Sequence, residues 1–283
     1  MTERTSNIVL LIILGIFIAY RSVFPASPAD SVSNTIFDLS IELVGAILLL
    51  SIVKFLQNIK QLCFYFQTKV LLRNKEIRLS LAYLYRIKID DKYLLVKNRT
   101  RNFFQPVGGV YKTLPGSEKI FERLKVKADR LIETEKGVAK GDLRVYVKGN
   151  NVIEFLEWFD SKQDREISPW REFCEELISP EILPWKPFRF IDYKFMGTVR
   201  TPIFTLDSGD KGMFQYEIFD LVINNEQKPI LEGLLKKGNT VNYIWADSYL
   251  INRLGHDERT KEYTHEIAPH TKWAQDLKYS KIK

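Results

Sequence analysis

The six residues Arg171-Glu172-Phe173-Cys174-Glu175-Glu176 constrain this chain more than any other stretch. On an α-helix, at about 100° per residue, Glu175 and Glu176 fall about 60° and 40° to either side of Glu172, so three carboxylates share one patch. Like charges held that close repel unless a cation lies between them. An all-oxygen donor set suits the hard ions Mg²⁺ and Mn²⁺, and such an ion would be available to a diphosphate. Far upstream, Gln105-Pro106-Val107-Gly108-Gly109 supplies a turn whose glycines let backbone approach a phosphate or metal closely. Ser168 and Pro169 mark the start of the acidic helix, the serine capping free amides and the proline filling the first helical position. The helix is expected from Pro169 to Ile178, ending before Pro180.

The order R-E-apolar-x-E-E after a Gly-Gly turn resembles the second half of the Nudix box, whose family hydrolyses or binds nucleoside diphosphates linked to another moiety. The resemblance implies that Arg171 braces the glutamates and that Glu172, Glu175 and Glu176 ligate Mg²⁺ (or Mn²⁺). It also implies that Glu175 or Glu176 handles the proton of an attacking water, and that Gly108 and Gly109 contact the ligand. Two departures stand out. Between Gly109 and Arg171 lie 61 residues, several times the usual separation, so the intermediate glutamate of the box has no obvious place; Glu118 is the candidate. Where the family expects a glycine two positions after the last acid, this chain has Ile178.

The composition, with 45% apolar residues in 283, suits one sizeable core plus an appendage. A formal charge of +7 favours anionic partners, a membrane face or a nucleotide, and no DNA or RNA polymer is expected. Cys63 and Cys174 form no metal-type pair, and His256, His265 and His270 offer no zinc spacing. Apolar runs over about 8–24 and 36–56 read as two membrane spans joined by a short outer turn. Lys and Arg are absent from residues 25–37, whereas Lys54, Lys60, Lys69, Arg73, Lys75 and Arg78 crowd the stretch that follows. By the positive-inside rule, both termini face the cytoplasm in a two-pass protein of the cell inner membrane.

After a basic linker over 61–75, residues 76–283 are expected to form one domain with an insertion over about 110–167. Ile77–Ile89 and Lys92–Lys97 read as a hairpin turned at Asp90-Asp91. Within the insertion, Ser117–Ile132 reads as a helix, Leu143–Val147 as a strand and Val152–Phe159 as a second helix. Phe190–Val199 and Met213–Ile223 follow as strands, with the apolar stretch Asn242–Ile251 after them. Glu217 stands on one of them as a further acid, more simply read as solvated, and Trp158, Trp170 and Trp185 read as core. The fold class is therefore α+β: a two-helix transmembrane hairpin followed by a Nudix-type α/β/α sandwich with an insertion in its box.

That architecture resembles the SMODS-associated Nudix effectors of bacterial cyclic-oligonucleotide antiphage signalling, known as CBASS. The resemblance implies that a partner synthase makes a cyclic di- or trinucleotide and the Nudix-like domain senses it. Homo-oligomeric hairpins then act on the lipid bilayer. The competing expectation is a membrane-tethered, Mg²⁺-dependent Nudix hydrolase in which a polarised diphosphate is attacked by water.

Overall fold

The computed structural model describes residues 23, 31–132, 139–258, 262–263 and 265–281. The chain divides into two units, Met1–Gln67 and Thr68–Lys283. In the first, helix α1 runs over Ser31–Phe66. It contains the second apolar run, but among the described residues no helix is long and apolar enough to cross a membrane. The transmembrane hairpin, and with it the two-pass inner-membrane placement, is therefore corrected. Physically, Asp38 and Glu42 are exposed on α1 within that run, and a carboxylate deep in hydrocarbon costs about 3 kcal/mol. The first run, 8–24, lies outside the described residues apart from Val23.

The second unit is built on strand β1, Glu76–Arg86, which is buried almost throughout. A strand covered on both faces buries successive residues rather than alternate ones: Ile77, Leu79, Leu81, Tyr83 and Tyr85 fill one face, while Arg78, Ala82 and Leu84 are buried on the other. Next come β2 (Lys88–Ile89) and β3 (Lys92–Lys97), joined through Asp90 at a φ of 51°. Short strands β4 (Phe104–Gln105) and β5 (Gly108–Val110) follow.

Helix α2, Ser117–Leu124, ends where Lys125 adopts a left-handed conformation, well short of the expected Ile132. Its continuation is β6 (Lys127–Ala128), then β7 (Arg144–Lys148) and helix α3 (Gly149–Ser161). The rest of the unit comprises α4 (Trp170–Phe173), α5 (Trp185–Phe188), β8 (Asp192–Arg200), β9 (Phe204–Thr205) and β10 (Lys211–Val222). Beyond these are α6 (Lys228–Lys237), β11 (Tyr243–Asp247), α7 (Ser248–Asn252), β12 (His256–Asp257), β13 (Glu262–Tyr263) and α8 (Pro269–Asp276).

The large sheet has the order β6-β7-β1-β10-β8, with β5 also on β1 and β9 on β10. Its centre is a parallel pairing of β1 with β10, from Ile77↔Lys211 to Arg86↔Asp220. The insertion is thus part of the sheet, which it extends by β6 and β7. The β2–β3 hairpin belongs to a second sheet, β11-β3-β2 with β4 on β3, rather than continuing β1.

Helices cover both faces of the large sheet. On one, Tyr85 meets Phe173 and Tyr111 meets Phe159, the latter from α3. On the other, Leu84, Val199 and Ile218 pack on Ala274 of α8. A Nudix-like α/β layering of the second unit therefore stands.

Candidate functional site

Strand β1 places Tyr83 opposite Gly109 of β5 and beside Glu217 of β10. Against this face lies α4, which opens after Phe173 into a π-helical turn over Cys174–Ile178, closed by the Ser179 N–H donating to the Cys174 carbonyl at 2.8 Å. Single π turns inside helices often mark functional positions. Ser168 Oγ does accept from the Trp170 N–H, at 3.3 Å, while Pro169 occupies the cap position.

Arg171 is the hub. Its Nε donates to Glu166 Oε1 at 3.0 Å, Nη1 to Glu172 Oε1 at 2.6 Å and to Glu175 Oε1 at 3.4 Å, and Nη2 to the Val110 carbonyl at 2.8 Å. A second bond to Glu166, Nη2 to Oε2 at 3.3 Å, makes that pair bidentate. Burial works against the Arg171 charge, but the bond to Glu166 and the charge of Glu172 hold its pKa above the ordinary guanidinium value. Glu175 is more open and receives Arg99 Nη1 on its other oxygen at 3.1 Å.

Glu176 turns away from this hub. Its Oε2 accepts the Gly108 N–H at 2.8 Å. Burial pushes the Glu176 carboxyl up to about 8, the Gly108 N–H pulls it down, and the Glu172 charge adds to the rise. Glu172 is likewise raised, by burial first, with Arg171 opposing.

Both glycines are required by space. A Cβ on Gly109 would stand 2.1 Å from Glu172 Oε1, so the missing side chain is what admits the carboxylate. A Cβ on Gly108 would meet the Tyr83 carbonyl oxygen at 2.1 Å.

The structure thus gathers Arg171, Glu172, Glu175, Glu176, Gly108 and Gly109 into one neighbourhood across 61 intervening residues. It does not aim the three acids at one point: among the described residues, no group of three His, Cys, Asp or Glu could hold a metal ion. The cation between Glu172 and Glu175 is Arg171 itself. Oxygen donors suit Mg²⁺ or Mn²⁺ in kind, but as arranged these residues do not offer three acids to one ion.

Glu166, which sequence reasoning missed, is the acid that braces Arg171. It also accepts the Lys112 N–H at 3.1 Å. Glu118, the earlier candidate, is exposed and bonds to the Gly116 N–H at the start of its own helix. The available signal was distance along the chain: Glu166 lies five residues before Arg171, whereas Glu118 belongs to another element.

Just before Glu166, Arg165 is wholly buried, its guanidinium 3.8 Å over the Phe159 ring and 4.6 Å over Tyr111. Its Nε and Nη1 donate to the carbonyls of Phe159 and Glu166. Glu217 lies 3.6 Å from Arg165 Nη2 and accepts the Tyr111 hydroxyl, so it is committed rather than solvated. Trp185 departs from the core expectation at 55% exposed, while Trp170 is half-buried and stacks on Phe173.

Comparison with known proteins follows the same lines. The model of the SMODS-associated NUDIX domain matches residues 76–275. Among solved structures, a NUDIX hydrolase from Nitrosomonas europaea is similar at 15% identity, covering 70% of this chain and 86% of that one, with a TM-score of 0.25. No curated protein matches.

Proposed function

This chain belongs to the SMODS-associated NUDIX domain family, and from that premise we propose that its Nudix-type domain is a sensor that binds a cyclic di- or trinucleotide in CBASS-type antiphage signalling. The observation that carries this reading is the engagement of the box residues with one another. Arg171 is taken up by Glu166, Glu172, Glu175 and the Val110 carbonyl, and Glu176 by the Gly108 N–H. Hydrolysis of a diphosphate asks for a carboxylate free to activate water and acids that converge on the phosphates. Recognition asks only for a rigid frame and cations nearby.

A cyclic oligonucleotide joins its nucleotides by phosphodiesters and presents no diphosphate. Guanidinium groups suit such oxygens, and Arg99 stands at the open edge of the box. A separate synthase supplies the ligand in this reading.

The test is thermal denaturation of the full chain with cyclic dinucleotides and cyclic trinucleotides. A ligand at one hundred times its Kd adds about 2.7 kcal/mol to the folded state, or about 5–10 °C in Tm for a domain this size. Absence of any shift across the panel, together with phosphate release from a linear nucleoside diphosphate substrate, would replace the sensor by a hydrolase.

A further inference from the structure

The face of the large sheet away from the box carries a second group of side chains. Strand β10 alternates, so Tyr216 points opposite to Glu217, and its neighbours across the sheet are Ala82 and Val199. The Tyr216 ring lies nearly parallel to that of His270, at 15° and 5.5 Å between centroids. Trp273 closes one side, 6.2 Å from Tyr216, and Phe103 meets the edge of His270 at 6.3 Å. Both rings of the pair are half-buried. Among the described residues neither the Tyr216 hydroxyl nor the His270 ring nitrogens make a hydrogen bond.

The charge around this pair is positive. Arg78, Arg101 and Arg144 all lie close enough to bias Tyr216, and Arg101 also biases His270. Arg78 is matched by Asp129 at 2.9 Å and Arg144 by Asp142 at 2.5 Å. The Arg101 guanidinium has no ion pair among the described residues.

Arg101 is nevertheless placed. In the loop between β3 and β4, Asn98 Oδ1 accepts from the Thr100 N–H at 3.0 Å, the Thr100 hydroxyl at 3.1 Å and the Arg101 N–H at 2.9 Å. Asn98 Nδ2 ties the loop to Gln105 Oε1 at 3.0 Å. The same loop sends Arg99 to Glu175 of the box. Two residues apart, Arg99 pairs with the acidic helix and Arg101 lies within electrostatic reach of the ring pair.

Resting on the nucleotide-sensing reading above, we infer that Tyr216, His270 and Arg101 form the nucleoside end of the ligand site, where a nucleobase stacks against the ring pair and Arg101 takes the adjoining phosphate. Aromatic rings suit a nucleobase because every base has a π face to stack on them, and the unspent hydroxyl and imidazole nitrogens are open to the edge of the base. A guanidinium without a carboxylate partner is the natural acceptor of a phosphate. The loop that carries Arg99 and Arg101 then ties ligand occupancy to the box helix.

The experiment titrates the full chain with AMP, ribose 5-phosphate and cyclic di-AMP, following tryptophan emission and calorimetric heat. AMP is expected to bind about tenfold or more tighter than ribose 5-phosphate, the scale of one base–aromatic stack. Tyr216→Ala should remove that tenfold preference while leaving ribose 5-phosphate unchanged, and Tyr216→Phe should keep it. Because Tyr216 also packs on the core beside Ile218, Arg101→Ala, in an exposed loop, provides a variant free of folding effects. It should weaken all three probes severalfold and flatten their salt dependence.

Nucleotide affinities unchanged in both Arg101→Ala and Tyr216→Ala would put the site elsewhere and overturn this inference while leaving the sensor intact. Failure of the wild-type chain to bind either AMP or cyclic di-AMP would overturn this site, whereas the sensor reading falls only if the full panel of cyclic di- and trinucleotides also fails to shift its Tm.

Discussion

The two faces of the large sheet differ in what they leave over: both carry closed ion pairs, but only the face opposite the box also holds a cluster of unpaired polar groups among the described residues. On the box face the charges close on one another: Arg171 with Glu166, Glu172 and Glu175, Glu176 with the Gly108 N–H, Glu217 with Tyr111 and Arg165. On the ring face the Tyr216 hydroxyl, the His270 ring nitrogens and the Arg101 guanidinium have no hydrogen-bond or ion-pair partner among the described residues. A network that satisfies itself holds the fold, and groups left over are available to something else. Substitutions on the box face should therefore lower stability first, and those on the ring face should lower ligand affinity first.

The sharpest way to break this comparison is Arg171→Met. It leaves Glu166 and Glu172 largely buried and without their cation, a situation that typically costs about 3–5 kcal/mol. A fall in Tm of roughly 10 °C by calorimetry is expected for a domain of this size; an unchanged Tm would mean the box is not structural. Next in size is Glu166→Gln, which keeps the shape but removes the charge from the bidentate pair, for a loss of about 1–3 kcal/mol. Glu118→Gln, by contrast, should leave Tm where it is. Equal effects at the two positions would refute the assignment of Glu166 as the brace.

How far these roles could be read from sequence follows the range of the interactions. The acidic hexapeptide and the glycine pair are local patterns, and both reach the site because their geometry is set within a turn or a helix. Strand β1 was visible from its run of branched and aromatic residues. Strand β10 was visible too, as Met213–Ile223, but its parallel pairing with β1 was not, since their register depends on covering both faces at once, across more than a hundred residues. Helix α2 stops at Lys125 in a left-handed conformation that no glycine announces, so the apolar pattern on to Ile132 was misleading.

Glu166 was invisible for a related reason. The usual box spacing would place its brace near Gly109, whereas here the inserted residues carry the chain away and bring an acid back just before Arg171. The apolar run at 36–56 pointed to a span because hydropathy counts residues and ignores what interrupts them. Asp38 and Glu42 are such interruptions.

The last expected effect concerns Glu176, the one box acid that does not face Arg171. Burial raises its pKa from the ordinary 4.5 to about 8 in the folded chain. Between those values the folded protein holds a proton that the unfolded chain has released, so its contribution to stability is whole below pH 4.5 and drains away as pH rises toward 8. Other acids titrate too: Asp142 and Glu172 are raised by burial, while Glu76 is lowered by Lys127. The difference between wild type and Glu176→Gln isolates the one group. Urea denaturation across pH 5–8.5 should show wild type losing stability relative to the variant, by about 1 kcal/mol or more since a single unit of pKa is worth 1.36 kcal/mol. Parallel pH profiles would show that the carboxylate is ionised beside Gly108 throughout. In that case Glu176 would join Glu172 and Glu175 as a charge, and the box face would carry an uncompensated acid where the comparison requires none.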